Sequence, residues 1–223
     1  MTSWFLGTWA VFEKDFKLEL RSRYAINMLL MFVLAVIALV MIAVGREPLS
    51  IHIEAALMWV VVLFAAALGM GRSFVSEEER GTMLILRLNV PAGRVYAGKL
   101  LFNFLLMVVV EIVAVLAFVF LLSIQVGSWL LLIAVLVLGA LGLAGATTLL
   151  AAIIARAANR GPLMPVLAFP LLIPLLITVV NGSVVALEGG GWNAASGDLL
   201  TLVGYTGAVI SASTILFDFV WHD

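Results

Sequence analysis

"LLFNFLLMVVVEIVAVLAFVFLL", Leu100 to Leu122, is the stretch that decides the fold. It is apolar continuously rather than alternately, and only Asn103 and Glu111 interrupt it. A bilayer's hydrocarbon core is ~30 Å thick and takes about 20 helical residues to cross. In lipid every backbone N–H and C=O must be satisfied within the segment, which a helix achieves; a lipid-facing barrel strand would alternate with period two. The stretch therefore predicts a membrane-spanning helix.

Five further stretches read the same way, at about 25–45, 55–71, 129–155, 163–180 and 200–220. Composition agrees: 65% of the 223 residues are hydrophobic and 11% charged, against roughly 25% charged in a soluble domain. The mean hydropathy is +1.24. The expected fold class is an all-α integral membrane protein with six transmembrane helices. The first apolar run follows four basic residues and has no small-residue cleavage site after a short core, so it reads as a retained span. A net charge of -1 gives no electrostatic case for nucleic acid. The absence of cysteine excludes disulfides and thiolate metal sites, and two histidines exclude a histidine-rich one.

Orientation follows from the bases. Lys14, Lys17, Arg21 and Arg23 precede the first span; Arg72, Arg80, Arg87, Arg94 and Lys99 lie between the second and third; Arg156 and Arg160 lie between the fourth and fifth. Only Arg46 falls on the other side. The loaded side is cytoplasmic, and an even number of spans puts both termini there. Ahead of the first span, residues 4–22 are too charged to cross. Trp9, Phe12, Phe16 and Leu20 recur at helical spacing, with Lys14, Lys17 and Arg21 largely on another face. That pattern predicts an amphipathic helix in the cytoplasmic interface of the lipid bilayer. On the outer side, "GSVVALEGGGWNAASGD" (Gly182 to Asp198) within 181–199 is expected to be a loop holding one short turn at most.

The one long polar segment is "RSFVSEEERGTMLILRLNVPAGRVYAGK", residues 72–99. Ser76 is placed to cap a helix, with Glu79 three positions on as in a capping box. Glu77, Glu78 and Glu79 would occupy the first turn, where the helix dipole favours acids. Gly81 weakens the middle of that helix, and Pro91 with Gly93 ends it. A second helix from about Arg94 leads into the third span. Composition alone leaves two readings open: a docking helix, or a solvated hairpin holding two spans apart.

This segment resembles that of ABC-2-type permeases, which runs roughly E-x-G-(T/S)-L-E, then a proline, then a lysine before the next span. Glu78 or Glu79, Gly81, Thr82, Pro91 and Lys99 match it; Met83 stands where leucine is common, and Leu84 or Ile85 where a second acid is often found. The opening "FEKDFKLELRSR" (Phe12 to Arg23), Glu47 and Pro48 in the first outer loop, and "GPLMPVLAFPLLIPLLI" (Gly161 to Ile177) extend the likeness along nearly the whole chain to the CcmB family, the haem exporter B subunit of cytochrome c maturation. The resemblance implies a single permease domain over residues 1–223 in the bacterial cytoplasmic (inner) membrane. It implies an ATPase-coupling helix whose interface residues are Ser76, Glu77, Glu78, Glu79, Arg80, Gly81, Thr82, Leu84, Arg87 and Pro91. It implies a CcmA-type ATPase that binds ATP, a second copy of the chain, CcmC- and CcmD-type membrane subunits and the haem chaperone CcmE, with haem as the pathway's substrate. No Walker A sequence is present, so the chain is not expected to be an enzyme on its own. The alternatives are an ABC-2 exporter permease for a lipid or other hydrophobic solute, and an assembly protein without energy coupling.

Inside the membrane, Pro170 and Pro174 each remove an interior helix hydrogen bond and share a face, making either a hinge or a static kink. Gly139, Gly142 and Gly145, with Ala140, Ala144 and Ala146 beside them, form a smooth stripe for close helix contact. Glu111, the single acid deep in a span, is expected to be neutral, paired or turned to the bundle interior, serving either function or packing. Asp218, with Trp221 and His222 close by, is expected to mark the membrane edge. His52, without a second ligand, reads as a surface residue and not a haem ligand, so no cofactor is assigned to the chain itself.

Overall fold

The computed structural model describes residues 2–45, 49–70, 74, 77, 81–155 and 163–222. The helices there are α1 (Thr2–Ser22), α2 (Tyr24–Val44), α3 (Ile51–Met70), α4 (Met83–Asn89), α5 (Ala92–Leu121), α6 (Trp129–Ala155), α7 (Leu163–Leu187) and α8 (Trp192–His222). Among the described residues six helices are long and apolar enough to cross a membrane: α2, α3, α5, α6, α7 and α8. Six crossings return both termini to one side. The architecture is all-α, with a non-spanning N-terminal helix and a short helix between the second and third spans.

The breaks between helices have local causes. Arg23 adopts a left-handed φ of 51° between α1 and α2. The Ile26 amide, one of the unsatisfied donors at the start of α2, donates to Glu19 Oε1 at 2.9 Å. Pro91 interrupts the chain before α5, since it has no N–H to give. Gly81 departs from the sequence reading. At φ 67° it forms a turn outside any helix, and α4 begins only at Met83. A glycine in the left-handed region ends a helix where one in the right-handed region would merely weaken it. The expected cap Ser76 lies outside the described residues.

The outer segment 181–199 also differs from expectation. α7 runs through Leu187 and α8 starts at Trp192, leaving Glu188–Gly191 between them. Glycine-rich sequence has low helix propensity, but packing overrides it here. A Cβ on Gly182 would meet Val135 of α6 at 3.0 Å, and Ser183 accepts a hydrogen bond from buried Trp59 Nε1 at 2.8 Å.

α6 is the centre of the bundle, packing on α3, α5, α7 and α8. Its three glycines explain why. A Cβ on Gly139 would lie 2.3 Å from Trp59 of α3, one on Gly142 2.9 Å from Leu175 of α7, and one on Gly145 3.1 Å from Ile210 of α8. The small residues therefore let three helices of the same chain approach α6 closely along one stripe.

The long helices also build a layer outside the membrane. α5 has 30 residues, hence is about 45 Å long at ~1.5 Å per residue, roughly 15 Å more than the hydrocarbon core needs. The surplus carries Ala92 to Lys99 into a cytoplasmic layer. There Val11 of α1, Phe74, Met83 of α4, Val95 and Tyr96 of α5, and Phe217 and Trp221 of α8 form a second buried core.

Candidate functional site

α1 lies against the cytoplasmic start of α5 because Gly98 lets it. A Cβ on Gly98 would come within 2.7 Å of the Thr8 carbonyl oxygen and of Val11 Cβ. The face of α1 turned to α5 is Thr8, Val11 and Asp15, all buried. The opposite side keeps Trp9 and Leu20 more than half exposed, as an interfacial helix requires. So α1 packs on protein along one face and offers aromatic surface to the headgroups along another.

The close approach brings four charges together. Lys99 Nζ, with its side chain 0% exposed, donates to Glu77 Oε1 at 2.8 Å and to Asp15 Oδ2 at 3.0 Å. Lys14 Nζ donates to the same Glu77 oxygen and lies 3.3 Å from Asp15 Oδ1. Beneath them the Phe74 ring centroid is 4.7 Å from Lys99 Nζ, a cation–π contact. Two acids against two bases leave the group neutral, which makes burial tolerable. Glu77 also anchors α4: the Thr82 amide donates to the Glu77 carbonyl at 3.0 Å and the Thr82 hydroxyl at 3.3 Å. One residue thus joins α4, α1 and α5. A cleft of about 460 Å³ opens beside it between α1 and α4, walled by Lys14, Asp15, Leu18, Glu77, Ile85 and Leu86.

Burial alone would push the Glu77 carboxyl up, but Lys99 and Lys14 outweigh it and hold the group below 4.5. Burial alone would pull the Lys14 ammonium down, but Asp15 and Glu77 outweigh it and hold it above 10.5. Glu77 thus contributes stability that is fully present above its unfolded value and lost as pH falls through the lowered folded one. The contribution of Lys14 is present below its unfolded value and lost as pH rises through the raised folded one. Thermal unfolding measured against pH is expected to be level through the neutral range. It should weaken on the acid side below the ordinary carboxylate range, and Glu77→Gln should remove part of that acid limb.

α4 has two sides. Met83 is buried, with Leu86 and Val90 partly so, on the cytoplasmic core. Leu84, Ile85 and Leu88 are 65%, 63% and 78% exposed. Arg87 lies over the Trp221 ring at 5.5 Å, and that ring stacks on Phe217 at 5.3 Å. Trp221, at the end of α8, is 4% exposed and supports α4 from below.

Of the residues singled out from sequence, the structure turns Glu77 inward, leaves Gly81, Thr82, Leu84 and Pro91 exposed on the cytoplasmic side, and half-buries Arg87. Ser76, Glu78, Glu79 and Arg80 lie outside the described residues, as do Glu47 and Pro48. Pro170 and Pro174 are inside α7 with their rings exposed on the outer face of the bundle. Thr178 Oγ1 donates to the Pro174 carbonyl at 2.8 Å within α7, and Tyr205 of α8 donates to the Leu171 carbonyl at 2.7 Å. Glu111 is buried in the bundle, away from the charge group. His52 is exposed, and the described residues contain no group of three or more His, Cys, Asp or Glu able to hold a metal. The pairing of Asp15 with Lys99 was missed. Its one trace in the sequence is that Asp15 shares a helical face with Thr8 and Val11.

A scan against protein families matches the CcmB protein family over residues 7–220. The chain belongs to the CcmB family. Two relatives carry the name heme exporter protein B. The one from Rhodobacter capsulatus is 28% identical over 204 residues, covering 91% of this chain and 92% of its own. The one from Haemophilus influenzae is 28% identical over 200 residues, covering 87% of each. CcmB-family membership makes this chain a membrane permease subunit related to the cytochrome c maturation ABC system, of a type that is not itself catalytic. CcmB proteins work among the other components of that system in the inner membrane, and the six spans with both termini on one side agree with that setting. Within the CcmB frame, the four-charge joint is one of the contacts that tie the short cytoplasmic helix to the spans, beside the Met83 core and the Arg87–Trp221 contact.

Proposed function

We propose that this chain is the membrane subunit of an ATP-driven complex in cytochrome c maturation, and that α4 is the surface on which a CcmA-type cytoplasmic ATPase docks. The partner binds ATP. Haem is the pathway's substrate, and the work is haem delivery or release of the haem-loaded chaperone CcmE. A second copy of the chain and CcmC- and CcmD-type subunits complete the assembly.

The observation that carries this reading is the Thr82–Glu77–Lys99 linkage. A push on α4 reaches Glu77 through backbone and hydroxyl hydrogen bonds, and reaches α5 through a buried ion pair. α5 is one unbroken helix from that layer across the membrane, so a displacement at Lys99 is carried to the far side. In this reading Leu84, Ile85 and Leu88 supply apolar contact and Gly81, Thr82, Arg87 and Pro91 the shape of the surface, while Ser76, Glu78, Glu79 and Arg80 are assigned to the interface by the family resemblance alone. Glu77 acts as transmitter. Pro170 and Pro174 give α7 a point at which the bundle can flex.

Burying an exposed leucine side chain is worth roughly 1.5–3 kcal/mol, and every 1.4 kcal/mol is about tenfold in affinity. Leu84→Asp with Leu88→Asp is therefore expected to cut co-purification of the ATPase at least about tenfold. Membrane level and thermal stability should stay unchanged, because both side chains are already in water. Full retention of the ATPase contradicts docking on α4.

A further inference from the structure

Glu111 takes no part in the charge joint. It lies twelve residues along α5 from Lys99, about 18 Å at ~1.5 Å per residue, near the middle of the membrane crossing. It is 2% exposed, and its Oε1 has no hydrogen-bond partner among the described residues.

An ionised carboxylate at that depth needs a cation beside it. The helices packed on α5 are α1, α2, α3, α6 and α8. α2 carries no charged residue from Tyr24 to Val44, and α6 carries no titratable residue from Trp129 to Ala155. α3 has His52 and Glu54 at its outer end only. α8 has Asp198 near its outer end, Asp218 and His222 near its cytoplasmic end and Tyr205 between, whose hydroxyl is given to the Leu171 carbonyl. The charges of α1 belong to the cytoplasmic layer, as do Arg94, Tyr96 and Lys99 of α5. Among the described residues of these helices no base stands at the level of Glu111 to pair an ionised carboxylate.

The path from Glu111 to the cytoplasmic layer is also marked. Lys99, Asn103, Met107 and Glu111 follow one another along a single i, i+4 ridge of α5, all buried. Asn103 Nδ2 donates to Thr148 Oγ1 of α6 at 2.8 Å, while Asn103 Oδ1, like Glu111 Oε1, has no partner among the described residues. Two buried acceptors left open on one ridge, above a cluster of charges, suit a site that admits water when the helices part. Left unfilled, each such group is costly, by about 1–3 kcal/mol.

We propose that Glu111 is a proton-binding site of the permease, filled in the closed packing and emptied when α5 moves against its neighbours. On opening, the carboxyl O–H bond breaks, its electron pair stays on the carboxylate, and the proton passes to water entering along Asn103 from the cytoplasmic side. Closure reverses the step. The movement itself is supplied by the partner ATPase, so the proposal rests on the coupling reading above.

The test uses the assembled complex in nanodiscs, by infrared difference spectroscopy between the nucleotide-free state and the vanadate-trapped ATP state. The expected result is loss of a protonated-carboxyl C=O band and gain of a carboxylate band. Both should be absent in Glu111→Gln and shifted in Glu111→Asp, which keeps the acid. An unchanged carboxyl band in wild-type complex whose ATP turnover responds to the permease overturns the proton site and leaves coupling standing. Turnover that ignores the permease overturns the coupling reading, and the proton site with it.

Discussion

Lys99→Met is expected to be among the most damaging single changes in the chain, and Lys99→Met with Glu77→Gln is expected to be milder. Lys99 is fully buried and bonds two carboxylates at once. Removing it leaves Asp15 and Glu77 facing each other with one base, Lys14, whose side chain is 38% exposed. Breaking a buried ion pair from one side costs about 3–5 kcal/mol, because the remaining charge stays uncompensated. Neutralising Glu77 as well leaves Lys14 with Asp15, a balanced pair, so most of that loss should return. Melting of the purified single and double variants measures the difference, and the double-mutant cycle gives the coupling between the two sites. The double variant should nevertheless couple poorly to the ATPase, because the ion pair that joins Glu77 to Lys99 of α5 is gone. A double variant no more stable than Lys99→Met alone means that the four charges do not act as a unit.

Gly98→Ala should be nearly as harmful for a different reason. The added methyl meets the Thr8 carbonyl oxygen at 2.7 Å, a backbone atom with no rotamer to change, as well as Val11 Cβ. α1 must move outward, and Asp15 moves with it away from Lys99. Overpacking of this kind costs roughly 1–3 kcal/mol before the strained ion pairs are considered. Gly204→Ala and Gly207→Ala on α8 are the matched controls. Nothing lies within 4 Å of a Cβ at either, and alanine is preferred to glycine in a helix by up to ~1 kcal/mol. Those two should melt as wild type or slightly higher, while Gly98→Ala melts lower and loses the ATPase. Equal melting of all three would remove the close approach of α1 as a determinant.

The contrast between the joint and the spans shows what kind of information a sequence holds. The spans were legible because solvation acts on each segment alone: Leu100 to Leu122 must be helical in lipid whatever surrounds it. The basic residues gave orientation for the same reason, since each interacts with the membrane rather than with a chosen neighbour. Pro91 was legible as a break because a missing N–H is a local defect. Partner choice is not local. Asp15 and Lys99 are 84 positions apart, and a charge on an amphipathic helix reads as solvated unless its face is known to be covered. Trp221 had no role legible in the sequence beyond its place beside Asp218 at the end of the last span. Only the length of α8 and the position of Arg87 turn it into a support for α4. Residues 181–199 read as loop because glycine disfavours helix. The compensation came from Val135 and Trp59, which lie far away in the chain.

The central claim is that α4 faces the cytoplasm and receives force from an ATPase. The chain has no cysteine, so Leu88→Cys creates a single reactive thiol on the exposed side of α4. Labelling it with a membrane-impermeant maleimide, in membrane vesicles of each orientation and with or without the ATPase, tests both parts at once. Labelling should occur only from the cytoplasmic side and should be blocked when the ATPase is bound. Labelling from the outer side, or labelling from the cytoplasmic side that the ATPase leaves unchanged, would contradict the account.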